Sequence, residues 1–224
     1  MAVPTDIQQF AAAIGPEPDA VLVEMNRRAN ADGFPTVGPD VGGWLQQLAG
    51  LVGAERVFEF GSGFGYSAYW FFRGMTDTGE VVLTEIDRDE LEDARSYLKR
   101  GGYAERAEFE HGDAIETVDA YDGPFDIALI DNEKQRYVEA FEAIQAKIPV
   151  GGLVIADNII RGPFDFESIR GLVVDGTDET AIGDEHADSA RGIGSYIESV
   201  TSTAEFETTL LPLGEGLAVS RRIE

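Results

Sequence analysis

RVFEFGSGFGYS, residues 56–67, is the stretch that decides the fold. RVFEF reads as a short buried strand, Gly61, Gly63 and Gly65 as a sharp turn, and the residues from Tyr66 as the start of a helix. Glycines at a strand end let the backbone approach a nucleotide-like ligand, with helix N-terminal amides waiting beyond them. The spacing is G-x-G-x-G, with Glu59 two residues ahead of the first glycine. The dinucleotide fingerprint is G-x-G-x-x-G, so a pyrophosphate cradle is the weaker reading.

Downstream, EVVLTEI, AEFEH, FDIALI and GLVIA repeat the pattern of short apolar runs, with helices expected near Tyr66, Asp89, Asp113 and Arg136. Five such strands imply a parallel sheet with helices on both faces, a doubly wound α/β fold whose ligands bind beyond the carboxyl ends of the strands. Upstream, residues 7–14, 20–29 and 41–52 carry helical periodicity, separated by Pro16, Pro18 and the turn-rich FPTVGPD. After Asn158 the rhythm breaks into an acidic stretch, 159–188, expected to be an irregular cover. A helix over 189–200 and two strands, AEFETTLLPL and GLAVSRR, follow, the strands joined as a hairpin by Gly214-Glu215-Gly216.

The chain has 224 residues, 43% of them hydrophobic, enough for one sizeable core. No run approaches the roughly 18 to 20 apolar residues of a membrane span, and MAVPTDIQQF lacks signal-peptide character, so a cytoplasmic protein is expected. The absence of cysteine excludes disulfides, thiolate nucleophiles and cysteine-bound metal, and only His111 and His186 offer imidazoles. Acidic residues number 42 against 17 basic, a net charge of −25, and only Lys99, Lys134 and Lys147 are lysines. Self-repulsion at that density destabilises a compact domain unless salt screens it, which points to a halophilic protein from a high-salt cytoplasm. The same charge argues against nucleic acid and anionic membranes as partners.

The remaining chemistry gathers at strand ends. Glu85 closes the second strand, where an acid can accept hydrogen bonds from ribose hydroxyls, and Asp113 follows the third, within reach of an adenine amino group. Asp131-Asn132-Glu133-Lys134 follows the fourth strand and Asp157-Asn158 the fifth. Adjacent parallel strands bring Asp131 and Asp157 together, and two carboxylates with an amide carbonyl suit Mg²⁺. Lys134, beside them, is placed where neighbouring cations lower an ammonium pKa toward that of a useful base.

EFGSGFGYS, LTEID, GDA, the D-N-E-K of FDIALIDNEKQRY, and GGLVIADN together resemble the motifs of cation-dependent O-methyltransferases, the group containing catechol and caffeoyl-coenzyme A O-methyltransferases. The resemblance runs from Val37 to about Ile160 and returns in LLPLGEGLAVSRR. It implies a Rossmann-like, S-adenosylmethionine-dependent fold with a seven-stranded, mostly parallel sheet. Val37, Glu59, Gly61, Gly63, Ser67, Glu85, Asp113, Ala114 and Asp131 would surround the methyl donor. Asp131, Asp157 and Asn158 would hold the metal, with Lys134 and Asp131 catalytic.

A single methyltransferase domain is then expected over 1–224, with a helical flank (1–53), a cofactor-binding core (54–158), and an acceptor cover with C-terminal hairpin (159–224). VGPDVGG departs from the pattern, with glycine and valine where relatives carry polar residues. The expected reaction is Mg²⁺-dependent methylation of a hydroxyl on a small, catechol-like acceptor, by a homodimer. Three alternatives stand beside it. A tRNA hydroxyuridine acceptor needs a basic patch around Arg27, Arg28 and Arg161; a nicotinamide-dependent oxidoreductase gives Asp157-Asn158 and Lys134 no task; a nucleotide-binding regulatory module would bind donor without turnover.

Overall fold

A computed structural model of the protein describes residues 4–177 and 187–224. The strands β1 (Arg56–Phe60), β2 (Glu80–Glu85), β3 (Ala107–His111), β4 (Ile127–Ile130), β5 (Leu153–Ala156), β6 (Phe206–Leu211) and β7 (Leu217–Arg222) form a sheet in the order β3-β2-β1-β4-β5-β7-β6. The first five pair in parallel, while β7 runs antiparallel to both β5 and β6.

Strands covered on both faces must be apolar throughout, and every residue of β4 and β5 is buried. Alternation then sorts side chains between two cores. Val57, Ile127, Leu129, Leu153 and Ile155 face one, Phe58, Phe60, Ala128, Ile130, Val154 and Ala156 the other. The first core lies under α2 (Ala20–Asp32), α3 (Gly38–Val52), α4 (Tyr66–Gly74) and α5 (Arg88–Gly101), with α1 (Thr5–Ile14) packed on α3. The second lies under α6 (Ala114–Val118), α7 (Tyr137–Ile144), α8 (Phe166–Arg170) and α9 (Ala187–Ser202).

The expected strands and flanking helices are all present, with shifts that have local causes. The third helix starts at Gly38 because Pro39 pre-sets its first turn, and a 3₁₀ turn over Lys134–Arg136 precedes α7. The cover expected to be irregular contains α8 and a π-helical turn, Gly171–Asp175. Five-residue pieces are too short to imprint a helical period on sequence. The rest of that cover, 178–186 with His186, lies outside the described residues. The unusual glycine of VGPDVGG has a packing role: a Cβ on Gly42 would lie 2.2 Å from the indole nitrogen of fully buried Trp70. The α3–α4 contact therefore needs its absence.

Strand order reverses between β1 and β4. Their carboxyl ends lead in opposite directions and leave a crevice where ligands of open α/β sheets bind.

Candidate active site

Gly61 and Asp131 mark the two lips of that crevice. Asp131 N donates to Phe60 O at 2.9 Å, and Gly61 has φ 83°. A Cβ there would stand 2.9 Å from Asp131 O, so only glycine lets the β1 turn lie against the β4 end. Two cavities of about 570 and 540 Å³ open beside them and share Gly61, Glu85, Asp131, Lys134 and Pro163 as walls.

Val37, Gly63, Ser67, Asp157 and Asn158 line the first cavity, Asp113 and Ala114 the second. Of the residues singled out in sequence, Glu59 lines neither. It is fully buried behind the glycine turn, and its carboxyl oxygens lack a partner of normal hydrogen-bond geometry. Burial pushes its pKa up to about 8, with the nearby Ser67 hydroxyl tempering the rise. Glu85 accepts from Gly63 N at 2.8 Å and Asp87 N at 2.9 Å, so it braces the glycine turn while facing both cavities. Asp113 caps α6 through Ile115 N and pairs with Arg136 at 2.5 Å, which holds its carboxyl below the usual range. It is both helix cap and cavity wall.

On the floor, the Lys134 ammonium donates to Asp131 Oδ1 at 3.0 Å, Asn158 Oδ1 at 2.5 Å, the Tyr137 hydroxyl at 2.7 Å and Asn132 O at 3.3 Å. Two oxygens of the expected metal set thus converge on one cationic point. Asp157 stands beside them, 3% exposed, accepting from Asn158 N at 2.7 Å. Burial raises both acids, and the like charge of Asp131 raises Asp157 further; the Lys134 cation opposes the rise at Asp131, whose side chain keeps 31% exposure to the cavity. Surplus negative charge facing hard oxygen donors is a setting that fits a divalent cation. Among the described residues no three acidic or histidine side chains gather into a metal group; the candidate set is two carboxylates and an amide.

Asn158 is the only described non-glycine residue with positive φ, 60°. Its Nδ2 donates to Glu215, whose backbone carbonyl accepts from Ile160 N and Arg161 N. Strained backbone persists where surroundings over-determine it, and here the Gly214-Glu215-Gly216 turn does so. Sequence reasoning treated that turn as a hairpin connector. Its signal was an acid flanked by two glycines inside a motif already singled out. Tyr137 and Arg136 were also missed, because a buried phenol and a salt-bridged arginine have no local signature.

Fold and site together define a doubly wound α/β enzyme class with its chemistry at the sheet's switch point. Comparison places the chain within that class: it belongs to the O-methyltransferase family, which it matches over residues 17–223. It is 36% identical to a catechol O-methyltransferase of Niastella koreensis over 155 residues, 66% of this chain and 69% of that one. To a catechol O-methyltransferase of Mycobacterium tuberculosis it is 33% identical over 162 residues, 71% and 74% of the two chains. The crystal structure of an O-methyltransferase from Bacillus cereus in complex with SAH superposes with a TM-score of 0.80 at 26% identity, covering 97% of each chain.

Proposed function

We propose that the protein transfers a methyl group from S-adenosylmethionine to a hydroxyl oxygen of a small acceptor, with a divalent cation at Asp131, Asp157 and Asn158. The observation that carries this is the convergence of Asp131 and Asn158 on the Lys134 ammonium, at the wall shared by two cavities. The donor's adenosine fits the second cavity, with Glu85 toward the ribose and Asp113-Ala114 toward the base; its methionine end fits Val37, Gly63 and Ser67 in the first. SAH, present in the Bacillus cereus relative, is the demethylated form of that donor.

A bound Mg²⁺ would supply Lewis-acid assistance, lowering the pKa of an acceptor hydroxyl. Lys134 takes the hydroxyl proton once it has released its own, and Tyr137, which also donates to Asp157 O at 3.1 Å, fixes the amine's position. Phe34, Pro35 and Pro163 give the acceptor apolar walls that keep water from the transfer path.

A small acceptor is favoured over tRNA because Arg28, central to any basic patch, faces Asp32, Glu90 and Asp93 within 3.9 Å. A homodimer, proposed here as well, would use the apolar face of α1, where Ile7, Phe10 and Ile14 stand 52%, 66% and 71% exposed. Sedimentation of an Ile7→Glu, Phe10→Glu variant as a monomer would support that face; unchanged sedimentation would exclude it. Among the described residues no helix is long and apolar enough to cross a membrane. The decisive assay is methyl transfer from S-adenosylmethionine to catechols in molar KCl with Mg²⁺. Binding of NAD without binding of S-adenosylmethionine would overturn the proposal.

A further inference from the structure

Arg161 is a cation on the first cavity that the floor and donor walls leave unemployed. Lys134 is saturated by four acceptors, and most arginines of the chain are tied to carboxylates, backbone carbonyls or aromatic rings. Arg161 differs. Its one ion pair among the described residues is with Glu215 at 3.7 Å, beyond hydrogen-bond distance, and its side chain is 60% exposed.

Its backbone, by contrast, is fixed. Arg161 N donates to Glu215 O at 3.1 Å, and the following turn is closed by a bridge between Gly162 and Phe164. A Cβ on Gly162 would meet the Phe164 ring at 2.6 Å, so the turn is specified by sequence. A guanidinium on a fixed base, with its donor fork uncommitted, is suited to bidentate capture of a planar anion. Net charge sharpens the point. At −25, this protein repels anions at long range in dilute buffer; molar salt shortens the Debye length to about 3 Å and leaves contact-range pairs to decide.

We infer that Arg161 is a specificity residue that receives an anionic group of the acceptor, so that the preferred acceptor is a hydroxylated aromatic acid. Phe34, Pro35 and Pro163 flank the ring, the hydroxyl lies toward Lys134, and the anion lies toward the rim. The idea rests on the methyl-transfer proposal for the acceptor's hydroxyl, but the anion subsite can be tested without turnover.

The experiment titrates catechol, protocatechuate (catechol bearing a ring carboxylate) and caffeoyl-coenzyme A (bearing phosphates) calorimetrically into SAH-loaded protein with Mg²⁺ in molar KCl. It compares the native chain, Arg161→Gln and Arg161→Lys. The expected result is a preference for protocatechuate over catechol of about ten-fold, lost in Arg161→Gln and partly restored in Arg161→Lys. The kcat/KM ratio for the two acceptors should follow. If only caffeoyl-coenzyme A loses affinity in Arg161→Gln, the anion received is a phosphate and the aromatic-acid assignment falls. An arginine that merely holds Glu215 would weaken all ligands alike and leave the ratio intact, overturning the inference. So would equal native affinity for catechol and protocatechuate, or failure of both to bind. Selective binding without methyl transfer to any acceptor would overturn the enzymatic proposal and leave the anion subsite standing.

Discussion

Gly61, Gly63, Glu85, Asp113 and Ala114, on the proposed donor side of the cleft, all stand at or just beyond the carboxyl ends of β1, β2 and β3. The acceptor side draws Phe34, Asn158, Arg161 and Glu215 from the helical flank, the β5 exit and the last hairpin. The first five are placed by sheet register, which repeats at each strand and leaves a pattern in sequence, while Val37 before α3 and Ser67 in α4 complete that side. Apart from the strand-end Asn158, the acceptor-side residues are placed by contacts between distant segments, such as Glu215 to Asn158, which no local pattern announces. One scaffold can therefore keep its donor chemistry while its acceptor side drifts.

The proposed metal floor joins the two sides, and breaking it should cost most. Lys134→Ala should lower turnover by roughly 10² to 10⁴, with partial recovery at high pH where the acceptor ionises unaided. Chelation should abolish turnover yet spare donor binding. Full activity of the variant, or of protein in EDTA, would reduce Lys134 to an ion-pair partner of Asp131.

Next in size is the donor side. Glu85→Ala should weaken S-adenosylmethionine binding by about 1.5 to 3 kcal/mol, because it loses ribose contacts and also unbraces Gly63. Calorimetry giving an unchanged affinity would move the ribose elsewhere. On the acceptor side, Glu215→Ala should weaken Mg²⁺ binding about 10- to 100-fold, the usual worth of a group that orients a ligand, with donor affinity little altered. An equal loss of donor affinity would show that the two sides are not separable.

Smallest are the stability effects. Glu59 has its pKa raised to about 8 by burial, well above its unfolded value. The folded state then holds a proton that the unfolded chain has released, so stability falls as pH rises from about 4.5 toward 8. Glu59→Gln should flatten that slope in the ligand-free protein, read as melting temperature against pH; parallel slopes would show that Glu59 is already ionised. Melting temperature should also climb with KCl beyond about 0.1 M, and a flat or falling curve would remove the high-salt proposal.

Much of the fold was legible because β1, β2, β4 and β5 are short, largely buried apolar runs that end in, or are followed by, glycine or acid. Asp131, Asp157 and Asn158 were legible because parallel neighbours put strand-end residues side by side, Ile130 opposite Ala156. Glu59, expected among the donor-site residues, is turned inward by alternation along β1 and lies buried under the glycine turn. The glycines and valines of VGPDVGG stood out in sequence without a reason, and for Gly42 the reason is room for Trp70. Both cases share a cause: sequence reports what a residue offers and is silent on which neighbour occupies the space beside it.

The place of β7 carries a consequence for biosynthesis. It follows every other strand in the chain yet lies inside the sheet, between β5 and β6, and the turn before it clasps Asn158. Chains emerge from the ribosome at roughly 5 to 20 residues per second and fold N-terminal parts first. Strands β1 to β5 are thus out, and the donor wall can form, while the edge of β5 still waits for its partner. A nascent chain stalled before Gly214 carries both aspartates and Asn158 without the carboxylate that holds the asparagine. The proposed metal site would in this sense be completed late in the molecule's making, by the insertion of β7.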